Sequence, residues 1–198
     1  MNTLARAIFF DRDGVLNKSL LIDGLPQAPA TLSEFEIYPE ARALLNSLRG
    51  LGYFIFVVTN QPNVAKGIHA RENVEALNKS LVANLGVDEI FTCYHRDEDA
   101  CACRKPKPGS LFDAARKYGL DLSACYMVGD RWRDIEAGRN AGCTTIWIDR
   151  GYRERTPEQQ DFQTSSLTGA VQWILGRSQH QCVAVPTNKQ LHQGESVQ

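Results

Sequence analysis

No stretch of this 198-residue sequence approaches the ~20 consecutive apolar residues that a membrane-crossing helix needs. The apolar stretch near the N-terminus is short and runs into Asp11-Arg12-Asp13, so it does not read as a signal peptide. Nor is there an excess of charge: 22 Lys and Arg oppose 23 Asp and Glu, for a formal net charge of −1. That balance argues against a basic nucleic-acid patch and against a polybasic membrane anchor. No internal repeat is present. What remains is expected to be a cytoplasmic protein, of a length that suits one domain with a sizeable core. Residues 1–176 are expected to form that domain, and the polar, Gln-rich residues 177–198 a mobile tail.

Strand-like and helix-like segments alternate along the chain. Residues 5–10, 53–58, 89–92, 125–128 and 144–148 are apolar and strand-forming. Between them, Ala41, Leu44, Leu45, Leu48 and Leu51 follow helical spacing over residues 40–51. Ala70, Val74, Leu77, Leu81 and Leu85 form a second stripe, closed by Gly86. Residues 110–118 and 131–140 are further helices, and Ser166 can cap a last one. This βαβα order argues an α/β fold, a three-layer sandwich with a mainly parallel sheet between helices. Residues 17–38, with Gly24, Pro26 and Pro29, are too few for a cap domain and suit a flap beside the strand ends.

The chemistry sits where strands end. Asp11 and Asp13 follow the apolar run 7–10, and residues i and i+2 of a strand share a face. One carboxylate can be a nucleophile and the other a proton donor and acceptor, with a hard cation between them. A solvated acidic turn is the bland alternative. Thr59-Asn60-Gln61 follows the second strand and offers a hydroxyl and backbone amides to phosphate oxygens. Asp130 follows another strand, with Asp134 one helical turn on, and would complete an oxygen site for Mg²⁺. A helix cap is the alternative there. Arg104 and Lys105 lie in a basic loop that could grip a phosphate or merely be solvated.

Six cysteines could mean disulfides, but three of them crowd with a histidine into Cys93-x-His95-x5-Cys101-x-Cys103. Three sulfurs and one imidazole make a closed tetrahedral Zn²⁺ site, which is structural because no position remains for water. Ordinary thiols and a surface histidine are the alternative. Zinc here would fix the backbone that leads directly into Arg104 and Lys105.

Strand-Asp-x-Asp-Gly, strand-Thr-Asn, a lysine before a helix and strand-Gly-Asp-x-x-x-Asp are each weak signals. In this order over residues 7–148, they resemble the haloacid dehalogenase superfamily of phosphohydrolases. The resemblance implies a Rossmann-like fold, Mg²⁺ dependence and an aspartyl-phosphate intermediate. It makes Asp11 the nucleophile and Asp13 the general acid/base, with Thr59 and Lys105 holding the transferring phosphoryl group. Mg²⁺ would be held by Asp11, the backbone carbonyl of Asp13, and Asp130. Val15 departs from the threonine common after Asp-x-Asp-Gly.

The zinc ligands, Thr59-Asn60-Gln61 and Cys103-Arg104-Lys105-Pro106 look like a narrower group, the zinc-loop phosphatases. These act on D-glycero-D-manno-heptose 1,7-bisphosphate at the 7-position or on histidinol phosphate, usually as monomers without a large cap. The likeness implies substrate binding by Asn60, Gln61, Arg104 and Arg131, the last usually a lysine. The turn at residues 63–67 resembles the heptose enzymes, whereas the five-residue gap between the cysteine pairs resembles the histidinol phosphatases. A zinc-stabilised binding module without turnover is the reading of a different class.

Overall fold

The structure, a computed structural model, describes residues 4–183. Six strands form one parallel sheet: β1 (Arg6–Phe10), β4 (Tyr53–Asn60), β5 (Glu89–Cys93), β6 (Tyr126–Gly129), β7 (Thr144–Ile148) and β8 (Phe162–Thr164). Their order is β5-β4-β1-β6-β7-β8, and every neighbouring pair is parallel. A parallel sheet must be covered on both faces, which is why its strands read as continuous apolar runs. Ile8 and Phe10 point into one core with Leu45 and Leu48 of α1 (Ala41–Arg49), Leu81 and Leu85 of α2 (Arg71–Leu85), and Val171 and Ile174 of α5 (Leu167–Val183). Ala7 and Phe9 point into the other, with Leu111 and Ala114 of α3 (Gly109–Tyr118) and Ala141 of α4 (Trp132–Ala141). The expected three layers follow from that alternation.

The chain leaves β1 toward β4 on one side and later enters β6 on the other. Ligands bind in the crevice that such a reversal opens beyond the carboxyl ends of the strands. At that crevice the Asp11 N–H donates to the Val128 carbonyl at 2.9 Å. Residues 17–38 form no cap domain. Within them β2 (Leu20–Ile22) and β3 (Leu25–Gln27) make an antiparallel hairpin, and Leu25, Pro26 and Gln27 border the cleft.

Four elements differ most from expectation. β4 and β5 run on to Asn60 and Cys93, because Thr59 pairs with Thr92 and Asn60 with Cys93. β8 has no apolar run in the sequence. It is held by its ladder to β7, by Asp161 accepting from the Thr145 N–H and hydroxyl, and by Phe162 stacked on Trp173. The last helix passes Gly176 and continues to Val183. There the Ser178 hydroxyl donates to the Ile174 carbonyl, and its oxygen lies 3.0 Å from the Tyr53 hydroxyl. The helix therefore enters the segment expected as a tail from residue 177, and residues 184–198 lie outside the described part. No helix of the described residues is long and apolar enough to cross a membrane.

Candidate active site

A cleft of about 310 Å³ opens at the crevice and is bordered by Asp11, Asp13, Thr59, Asn60, Gln61, Arg104, Lys105, Arg131 and Asp134. A larger, open groove between α2 and β5 contains none of these residues. The chemistry, rather than the size, identifies the functional cleft.

Lys105 is 2% exposed and sits at the centre. Its Nζ lies 2.7 Å from Asp11 Oδ1 and 2.6 Å from Asp134 Oδ1, and donates to the Val58 carbonyl at 2.5 Å. Burial alone would lower the lysine pKa, but Asp11 and Asp134 override it, so the group stays charged. Burial pushes the Asp11 carboxyl up to about 6, Lys105 opposes the rise, and Asp134 and Asp13 add to it. Asp130 is pushed well above the ordinary carboxylate range, first by burial and then by Asp11 and Asp134.

Asp130 carries the clearest sign of a cation site. Its Oδ2 accepts from the Tyr152 hydroxyl at 2.7 Å, while its Oδ1 is buried with no hydrogen-bond partner. Oxygens of Asp11, Asp130 and Asp134 lie within 4.8 Å of one another. Three clustered acids, two of them paired with the one buried lysine, are the oxygen donor set a hard divalent cation takes. Asp134 is the most committed of the three, because its Oδ2 also accepts from the Arg131 N–H at 3.0 Å. Gly14 makes the approach possible. Its φ is +87°, and a Cβ there would lie 1.8 Å from Asp130 Oδ2.

The Asp13 carboxylate receives four donors. Arg12 Nε and Nη2 reach Oδ1 and Oδ2 at 3.2 and 3.0 Å, Asn17 Nδ2 reaches Oδ1 at 2.9 Å, and Gln61 Nε2 reaches Oδ2 at 2.7 Å. Gln61 Nε2 also lies 2.9 Å from Thr59 Oγ1, so the two strand-end residues are joined to the acid. Asn60 turns to Lys105: its Nδ2 donates to the Lys105 carbonyl, and its Oδ1 accepts from the Lys105 N–H. Both side-chain amides border the cleft, yet each holds a protein group.

At the mouth, Asp97 accepts from two arginines. Arg104 approaches it at 2.8 and 3.4 Å, and Arg133 at 3.1 and 3.5 Å. The Arg104 hydrogen bond holds Asp97 below the ordinary carboxylate range against the opposing effect of burial, and Arg133 helps. Arg131 instead forms a two-bond pair with Glu154 at 2.7 and 2.6 Å. Sequence reasoning passed over Arg133, Glu154, Asp97 and Tyr152. They are ordinary surface residue types in the sequence, and only folding brings Asp97 and Arg133 to the cleft and sets Glu154 on Arg131 and Tyr152 on Asp130.

Behind Lys105, the Sγ and Nδ1 atoms of Cys93, His95, Cys101 and Cys103 form a second cluster. Cys93 lies 3.6 Å from His95 Nδ1 and 3.7 Å from Cys101, and Cys103 lies 3.4 Å from His95 Nδ1 and 3.5 Å from Cys101. Ligand atoms around tetrahedral zinc, with bonds of about 2.0–2.3 Å, stand about 3.3–3.8 Å apart. The same separations are far too long for disulfides, and all four thiol and imidazole groups fit the metal.

Residues 21–142 match the haloacid dehalogenase-like hydrolase family, well over half of the chain. The chain belongs to that family. Among its relatives, the D-glycero-beta-D-manno-heptose-1,7-bisphosphate 7-phosphatase of Helicobacter pylori J99 is 32% identical over 180 residues, covering 88% of this chain and 99% of the relative. The enzyme of the same name from Pseudomonas aeruginosa PAO1 is 36% identical, covering 75% and 84%. A solved structure of D,D-heptose 1,7-bisphosphate phosphatase from Bordetella bronchiseptica, complexed with magnesium and phosphate, superposes with a TM-score of 0.74 at 29% identity. It covers 88% of this chain and 99% of that one. In this haloacid dehalogenase-like hydrolase, then, the parallel sheet accords with the fold that the family resemblance implies.

Proposed function

We propose that this chain is a Mg²⁺-dependent phosphatase that removes the 7-phosphate of D-glycero-D-manno-heptose 1,7-bisphosphate through an aspartyl-phosphate on Asp11. One observation carries the chemistry. Asp11 borders the open cleft with a buried lysine on one oxygen, beside an acid whose own oxygen lacks a partner. The named relatives carry the substrate.

An Asp11 oxygen attacks phosphorus, and the bond from phosphorus to the ester oxygen breaks. Asp13 supplies the proton that the departing sugar oxygen takes up. Water then attacks phosphorus, Asp13 takes the water's proton, and the bond from phosphorus to the Asp11 oxygen breaks, which frees inorganic phosphate and restores the Asp11 carboxylate. Lys105 and Thr59 stabilise charge on the phosphoryl oxygens during both transfers. Mg²⁺ supplies neutralisation of the repulsion between the nucleophile and the anionic ester, and would be held by Asp11, Asp130 and the Asp13 carbonyl.

Zn²⁺ would be held by Cys93, His95, Cys101 and Cys103 with a structural role. The loop from Cys103 enters Arg104 and Lys105 directly, so the metal fixes where both side chains start. Arg104 and Arg133 at the mouth supply a place for a second phosphate, which favours a bisphosphate over a monophosphate. The shorter zinc loop keeps histidinol phosphate as the competing substrate.

The test is a hydrolysis panel with Mg²⁺ comparing both substrates by kcat/KM. At least tenfold preference for the heptose bisphosphate is expected. Preference for histidinol phosphate overturns the substrate, and no turnover of any phosphate ester overturns the activity.

A further inference from the structure

Arg12 is fully buried, yet it is a charged residue in the loop beyond β1. Two of its guanidinium nitrogens grip Asp13, and the third, Nη1, donates to Asn78 Oδ1 on α2 at 2.9 Å. Asn78 Nδ2 in turn donates to the Thr92 hydroxyl on β5 at 3.0 Å. The direction of this relay is fixed by chemistry. Arginine has no acceptor, so the amide oxygen must face it, and the amide NH₂ must then find an acceptor behind. Thr92 is that acceptor. The Phe35 ring lies 5.7 Å from the guanidinium carbon and closes another side.

We infer that Asn78 and Thr92 are positioning residues that act through Arg12 to fix the carboxylate plane of Asp13. A two-bond guanidinium grip sets both the place and the tilt of a carboxylate, but only if the guanidinium cannot pivot. Asn78 holds the end remote from Asp13, and Thr92 keeps the Asn78 amide from flipping. Neither residue borders the cleft that holds Asp11 and Lys105. Both border the open groove between α2 and β5, so the relay runs from the sheet's edge to the acid/base.

This inference rests on the reading of Asp13 as general acid/base, and it predicts a particular defect. Leaving groups differ in their need for a proton: a sugar alkoxide needs one, whereas p-nitrophenolate leaves unaided. The value of kcat/KM reports the steps through phosphorylation of Asp11, before water attacks. Thr92→Val, which keeps side-chain shape, and Asn78→Ala should each lower kcat/KM for the sugar phosphate ~10–100-fold, the scale of a misplaced catalytic group. For p-nitrophenyl phosphate the loss should stay within about threefold.

Asp13→Asn serves as the reference. If it shows no greater loss on the sugar phosphate than on the aryl ester, the acid/base reading itself fails. If Asp13→Asn shows that difference while folded Thr92→Val and Asn78→Ala behave as wild type, or lose equally on both esters, the relay is overturned. Should Asn78→Ala fail to fold, Thr92→Val decides alone.

Discussion

The Asn60 side chain and the Lys105 backbone hold each other by two hydrogen bonds, at 3.0 and 3.1 Å, across 45 positions of sequence. This joins the end of β4 to the loop that carries the zinc cluster, and so aims the lysine at Asp11. Asn60→Ala should cost about 1–3 kcal/mol of stability for the two lost bonds and lower kcat/KM ~10–100-fold through displacement of Lys105. Thermal unfolding and steady-state kinetics check both. A folded variant with wild-type kcat/KM would show that Lys105 is held without Asn60.

Asp11→Asn should abolish phosphate release and leave the fold intact, because an amide does not attack phosphorus. Phosphate release with circular dichroism as the folding control measures this. Near-normal turnover in a folded variant would remove Asp11 as nucleophile.

Zinc should copurify at one ion per chain and survive mild chelation, while Mg²⁺ exchanges freely, because soft thiolates hold one site and hard oxygens the other. Elemental analysis of wild type and Cys101→Ser tests it. The variant should lose zinc and, with it, most activity, since Lys105 then starts from an unfixed loop. Full activity without zinc would sink the structural role.

Arg104→Ala should lower kcat/KM for a bisphosphate ~10–100-fold, the loss of a charge-assisted hydrogen bond worth ~1.5–3 kcal/mol. Arg133→Ala should act in the same direction but less, as its side chain is the more exposed of the two on Asp97. A simple monophosphate should be much less affected by either. Equal losses on both substrates would place these arginines at the reacting phosphate.

The acid cluster links metal binding to pH. With its folded pKa raised from 3.8 to about 6, Asp11 keeps a proton in the folded state that the unfolded chain has already lost. In the metal-free protein, ionising it therefore costs stability as pH rises through that window, and that stability is present in full only below it. Mg²⁺ needs the ionised form, so protons compete with it below about pH 6. The rise in Tm on adding Mg²⁺ should be several degrees at about pH 7.5 and much smaller at about pH 5. Equal gains at both would show that the cluster does not hold the ion.

Much of this protein is determined by its sequence alone. Apolar runs such as residues 7–10 need cover on both faces, so strands and helices alternate and the sheet is parallel. The acids, Thr59 and Lys105 stand at strand or helix ends, and the four zinc-type ligands stand within eleven residues of one another, so both sites were legible as local patterns. Tertiary structure alone decided the partners. Arg12 and Asn78, Asn60 and Lys105, and Asp97 with Arg133 are tens of residues apart, and each pair meets only because packing brings different elements to one edge. It also decided β8, which is held by its ladder to β7 and by Phe162 stacking on Trp173, and the extension of α5 past Gly176, which the Ser178–Tyr53 contact supports. Periodicity encodes which face of an element is buried. It does not encode which distant hydrogen-bond donor that burial will force against which acceptor.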